Sequence, residues 1–258
     1  MEAIRHLELL REEGDRVADL PADTLHLPVP TLPDWSVERV VRHLGKIHRW
    51  VAATLAAGPD ADVAATASGL PSMPKGPDCL PAYREALDHV LVELSRHDPD
   101  EAVATFVGVG TAGFWMRRQA HEVAVHRIDA ADAIYAAGGP TPDSLAVDGA
   151  VDAIDEWAHV FLANRWTATA GNIPAELVGR SVHVHGTDDP APVDGAEWLF
   201  TFGEDRVDVV PTHAKGDVAL RGPAADLLLV LWRRRPLEML DVVGDRSVAE
   251  HLIDAVRF

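Results

Sequence analysis

Ile4, Leu7, Leu10, Val17 and Leu20 recur at roughly helical spacing through residues 3 to 20, and Pro21 ends the pattern, which predicts a first helix. The segment Leu27-Pro-Val-Pro-Thr-Leu-Pro33 cannot continue a helix and is expected as an extended connector. Asp34 or Ser36 can cap a second helix running to about residue 57, with Glu38 favourably placed near its N-terminus. Val37, Val40, Val41, Leu44, Ile47, Val51 and Leu55 form a single apolar stripe on it, as a bundle helix requires. Residues 58 to 81, rich in Gly, Pro, Ser and Ala, predict a mobile loop or lid. A third helix is expected over 81 to 96, a fourth over 111 to 137 before Gly138-Gly139-Pro140, and a further one over 143 to 164.

Beyond that point the pattern changes. Residues 181 to 186, 197 to 202, 206 to 210 and 217 to 220 alternate or run apolar over short lengths between Gly, Asp and Pro turns, which predicts antiparallel strands. Residues 224 to 234 are expected as a strongly apolar helix, 240 to 243 as a last edge strand, and 248 to 256 as a closing helix. The chain is therefore expected to be α+β: a helical bundle over residues 1 to 168 joined to a smaller α+β domain over 169 to 258.

The most informative stretch is Phe114 to Asp132, which has no Gly or Pro and is rich in helix formers. It places Glu122 and His126 four residues apart, so their side chains leave adjacent turns about 6 Å apart and can share one divalent ion. The pattern is not the zincin signature, because His121 and His126 are five apart and face different directions. Trp115, Gln119, Glu122, His126, Asp129 and Ala133 fall on one side, roughly 100° from the apolar stripe centred on Met116, Val123 and Ala130. Periodicity allows two readings of that side: a solvated polar face, or contact with another element. A third ligand would come from the second helix, where periodicity leaves both His43 and His48 open.

Composition narrows the partners. The chain of 258 residues carries 23 basic and 41 acidic residues, a net charge of −18 with His neutral, which argues against nucleic acid or an anionic membrane surface and for a small-molecule ligand. Its 47% hydrophobic content suffices for a sizeable core, and no apolar run approaches the roughly 18 residues of a membrane span. The lone Cys79 allows neither an intramolecular disulfide nor a thiolate-rich zinc site, and no basic motif surrounds it to activate it as a nucleophile. With an N-terminus that lacks an apolar signal core, a cytoplasmic protein is expected.

Three stretches together carry a family resemblance: Asp34-Trp-Ser-Val-Glu-Arg-Val-Val-Arg-His-Leu-Gly-Lys-Ile-His-Arg-Trp50, Phe114 to Asp132, and Gly222-Pro-Ala-Ala-Asp-Leu-Leu-Leu-Val-Leu-Trp-Arg-Arg-Arg-Pro236 with the following Val-Val-Gly-Asp245. In this order they resemble the actinobacterial mycothiol-dependent maleylpyruvate isomerase family. The resemblance implies a DinB-like four-helix bundle followed by a sterol-carrier-like α+β domain. It also implies a metal, taken as zinc, held by His43, Glu122 and His126, and so selects His43 over His48. Three protein ligands leave a position open, as in a catalytic site. The thiol implied is mycothiol, which in the family adds to the cis double bond of maleylpyruvate, permits rotation and leaves, giving fumarylpyruvate; thiol S-transfer is the other activity the fold carries. The resemblance also matches Arg234 best to a family Arg after the apolar helix, although Arg233-Arg234-Arg235 stands where the family has Gly before an Arg pair. Such an Arg could clamp a substrate carboxylate, or simply be a basic helix C-terminus. Arg127 and His121 are only candidates to support the ligands from behind, and His183 and His185, alternating on a strand, are expected to be solvated or to face a dimer partner rather than to ligate a metal. The competing functional expectation is a non-catalytic metal- or small-molecule-binding, regulatory member of the fold.

Overall fold

The computed structural model describes residues 1–164, 173–190 and 195–256, and its contacts divide the chain into two compact units, Met1–Asp143 and Ser144–Phe258. The first unit is built on four long helices: α1 (Ala3–Ala18), α2 (Val37–Ala57), α4 (Cys79–Leu94) and α5 (Ala112–Ala136). Ser36 caps α2 by accepting from the Arg39 amide, while Asp34 adopts a positive φ of 65° in the turn before it. The stripe on α2 is buried as expected at Val37, Val40, Val41, Leu44, Val51 and Leu55, but His48 is fully buried and Ile47 only half so. Each of α1 and α2 packs against both α4 and α5, so the bundle closes around one core.

Two stretches differ from expectation. Residues 58 to 81 are not a featureless loop: Asp62 accepts from the Ala65 amide and starts a short helix, α3 (Val63–Gly69), and a 3-10 turn leads into α4. Before α5 lies an antiparallel hairpin of β1 (Ala102–Thr105) and β2 (Gly108–Thr111), turned by Gly108 at φ 112°. The hairpin has a packing role. The Trp115 indole donates to the Ala104 carbonyl at 2.9 Å, and Phe106, Phe114 and Trp50 meet Trp115 edge to face.

In the second unit, α6 (Val147–Glu156) continues as a π-helical turn over Trp157–Leu162. A five-stranded sheet follows from β3 (Ser181–Gly186), β4 (Glu197–Phe202), β5 (Val207–Val210), β6 (Val218–Gly222) and β7 (Asp241–Gly244), in the order β5-β4-β3-β6-β7. The expectation of a wholly antiparallel sheet is corrected here: β6 pairs parallel with β3, because the chain crosses from β5 to the other side of β3 and re-enters the sheet in the direction that β5 and β3 share. β7 is an edge strand, as expected, and α8 (Arg246–Ala255) closes the unit. Between β6 and β7, α7 (Ala224–Leu231) is buried from Leu227 to Leu231 because it packs on α6 and on the sheet at once, which is why its sequence is apolar all round. The expected boundary at residue 168 lies outside the described residues. The helix expected over 143 to 164 goes with the second unit, where Trp157 meets Phe200 and Asp155 accepts from the Trp198 indole at 3.2 Å. No helix among the described residues is long and apolar enough to cross a membrane.

Candidate metal centre in the helical bundle

The side of α5 that could have been a solvated polar face is buried. Trp115, Gln119 and Asp129 are fully enclosed and His126 nearly so, because α2 lies against them. His43 Nε2 on α2 stands 2.9 Å from Glu122 Oε1, and His126 Nε2 stands 3.4 Å from the same oxygen. One ligand atom from each of His43, Glu122 and His126 lies within 4.8 Å of the others, a span that one cation can bridge.

The groups around these three atoms hold them in place. Asp129 Oδ2 is 2.7 Å from His126 Nδ1, which leaves Nε2 directed at the cluster, and Arg118 donates to Glu122 Oε2 at 2.8 Å, which leaves Oε1 there. Trp35, from the connector before α2, stacks on the His126 ring at 5.6 Å with planes 7° apart and meets His43 edge to face, while the Arg39 guanidinium lies 4.7 Å over the Trp35 ring. Burial alone would push the Glu122 carboxyl up; the hydrogen bonds from His126 and His43 and the Arg118 charge outweigh it and hold the group well below the usual carboxylate range. Burial pulls the His126 imidazole down, but Asp129 and Glu122 overcome it and raise the pKa to about 9. The cluster thus has a strong demand for positive charge, which a proton on His126 meets and a divalent ion would meet in its place.

His48, the other open candidate, points at α5 one turn away. Its Nδ1 is 2.7 Å from Gln119 Oε1, and burial lowers its pKa to about 4, so it is a neutral core residue outside the ligand set. Arg127 and His121 do not support the ligands as expected: Arg127 forms a buried ion pair with Glu13 of α1 at 2.5 Å and donates to the Asp143 carbonyl, and His121 meets His6 edge to face. The supporting roles fall to Arg118 and Asp129, one helical turn from Glu122 and from His126, a spacing readable in the sequence. Cys79 is buried, and burial pushes its thiol up to about 11, which makes it inert as a nucleophile. Arg234 lies in the second unit just past the end of α7, where its amide bonds the Leu229 carbonyl and its Nη1 donates to the Trp232 carbonyl at 2.8 Å.

The donor set fits the implied metal. Two imidazole nitrogens and one carboxylate oxygen, with the outer atoms of His126 and Glu122 tied by a carboxylate and a guanidinium, are the ligands and orienting groups of a zinc-class site with room for a further ligand. Fold and site together define an α+β protein whose four-helix bundle carries a two-histidine, one-carboxylate centre.

The family model described as the mycothiol maleylpyruvate isomerase N-terminal domain matches residues 7–131, and the corresponding C-terminal domain model matches residues 148–251. The chain belongs to the mycothiol-dependent maleylpyruvate isomerase family. The crystal structure of the mycothiol-dependent maleylpyruvate isomerase is similar over 95% of both chains, with a TM-score of 0.57 at 12% identity. That of a histidine-to-alanine mutant covers the same shares, with a TM-score of 0.59 at 11% identity. At such identity the likeness establishes the fold. No curated protein matches the chain as a sequence relative.

Proposed function

We propose that this protein is a metal-dependent enzyme that uses a low-molecular-weight thiol, mycothiol, to isomerise maleylpyruvate-like substrates or to transfer the thiol to an electrophile. The observation that carries the proposal is the convergence of His43, Glu122 and His126, with the outer atoms of His126 and Glu122 tied by Asp129 and Arg118. A divalent cation held there, zinc by its donor set, supplies when bound the charge that keeps a thiol ionised near neutral pH. The chain's own residues prepare for it. Asp129 fixes which His126 nitrogen faces inward, Arg118 aims one Glu122 oxygen, and the Trp35 ring covers His126 and keeps water from that face.

In the isomerisation the thiolate sulfur bonds to one carbon of the cis double bond while the electron pair passes into the conjugated carbonyl. Rotation about the resulting single bond and reversal of the addition give the trans alkene and return the thiol, so no oxidant or reductant is consumed. Arg234 is proposed to hold a substrate carboxylate. The binding-only alternative would be favoured by a fourth protein ligand such as His48, whose engagement with Gln119 leaves it out of the set.

The test is mycothiol-dependent conversion of maleylpyruvate, followed spectroscopically, by the parent and by His126→Ala. Turnover by the metal-loaded parent that the variant and a chelator both abolish is the expected result. Absence in the loaded parent of both isomerisation and thiol transfer to an electrophile, or full turnover in the variant, overturns the proposal.

A further inference from the structure

A second cluster of ligand-type side chains lies wholly within the C-terminal unit. His183 and His185 project from one face of β3, opposite in direction to the buried Val182 and Val184, and the register sets His185 directly across from Glu197 of β4. His213 arrives from the segment between β5 and β6. Glu197 Oε1 is 2.8 Å from His185 Nδ1, its Oε2 is 2.6 Å from His213 Nδ1 and 3.4 Å from His183 Nε2, and one ligand atom from each of the four residues lies within 4.8 Å of the others. The three rings meet edge to face at centroid distances of 5.3 to 5.8 Å.

One buried nitrogen has a long ion-pair contact but no well-formed hydrogen bond. His183 is 5% exposed, and its Nε2 is buried without a hydrogen-bond partner even though it is directed at the Glu197 carboxylate. Leaving such a nitrogen unpaired costs about 1–3 kcal/mol, and buried polar atoms of this kind usually have an unseen partner. Arg221, which lies beside His185 in the parallel register, has its guanidinium 3.2 Å from Asp241.

We propose that His183, His185, His213 and Glu197 form a second divalent-metal site, separate from the bundle cluster. Three imidazole nitrogens and a carboxylate oxygen suit zinc and its first-row neighbours rather than calcium or magnesium. Four protein donors fill a tetrahedral shell, so the site is of the closed, structural kind, and it pins the His213 segment to β3 and β4.

The test uses the full chain, stripped with chelator and titrated with zinc by calorimetry, with cobalt as a coloured probe of tetrahedral geometry. His43→Ala with His126→Ala removes the bundle cluster, and one equivalent should still bind; adding His213→Asn should abolish it. A folded bundle variant that takes up no zinc overturns the proposal. His213 has a side chain 77% exposed, so its replacement leaves the sheet intact. The comparison of the parent with His213→Asn alone therefore serves where the bundle variant does not fold: one equivalent fewer is expected, and equal stoichiometry overturns the proposal. Failure of the bundle assignment reads differently, as unchanged stoichiometry in the His43, His126 variant with a His213-dependent equivalent still present.

Discussion

Replacing Asp129 by Asn removes the charge behind His126 and keeps the shape. Asp129 is fully buried, and its Oδ2 is 2.7 Å from His126 Nδ1. In the metal-free protein the His126 pKa is raised to about 9 from 6.5, by Asp129 and Glu122 together against burial. A shift of that size corresponds to roughly 3–4 kcal/mol of folding stability at about 1.4 kcal/mol per unit. Because the folded pKa lies above the unfolded one, this stability is full below about pH 6.5 and is lost as pH rises through about 9. Asp129→Asn should therefore lower the His126 pKa by more than about one unit, read from the imidazole proton resonances. The stability gap to the parent in urea should be widest below pH 6.5 and closed above about pH 9. With the orienting charge gone, zinc affinity of the bundle cluster should fall about 10- to 100-fold, measured with His213→Asn in place so that only this cluster is counted. An unchanged His126 titration, or unchanged zinc affinity, would refute the coupling between the two residues.

The pKa of His48, lowered by burial to about 4, puts an acid limit on the fold: the depressed value means stability is intact above about pH 6.5 and falls by about 1.4 kcal/mol per unit towards pH 4. His48→Gln should flatten that slope in urea melts across this range, and an equal slope would contradict it. Arg127→Ala strands the buried Glu13 carboxylate and should cost about 3–5 kcal/mol, whereas Glu13→Leu with Arg127→Met should recover most of it; a loss below about 1 kcal/mol would mean the pair is solvated. Arg234→Ala should raise KM for the carboxylate substrate about 10- to 100-fold, the worth of a charged hydrogen bond, with partial rescue by Lys; an unchanged KM would leave Arg234 as a helix-end residue only.

The bundle was legible because each long helix carries its own stripe and stop signal, as in Val37 to Leu55 or at Gly138-Gly139. Shorter elements were hidden. Val63–Gly69 is Ala-rich but flanked by Gly and Pro, and the 102–111 hairpin is only four residues a side, too short for a period of two to stand out. The polar side of α5 could not be assigned from one helix, since its burial depends on His43 and His48 arriving from α2. The same limit hid the roles of Arg118 and Asp129, whose spacing was visible while the cavity that demands them was not. The parallel pairing of β6 depends on the chain crossing over from β5 to the far side of β3, and β-strand patterns do not encode that.

The arrangement of the four long helices bears on how the cluster comes into being. α2 and α4 are near neighbours in the chain and pack together, but the more extensive packing of α1 is with α5, about a hundred residues further on. The loop closed by that pairing is long, so its entropy is recovered only when α5 docks. Since His43 belongs to α2 and Glu122 and His126 to α5, the three side chains are brought together only where these two helices have docked. An ion held there would recognise the docked pair of helices alone and draw the equilibrium toward it, so its occupancy would double as a check on that docking.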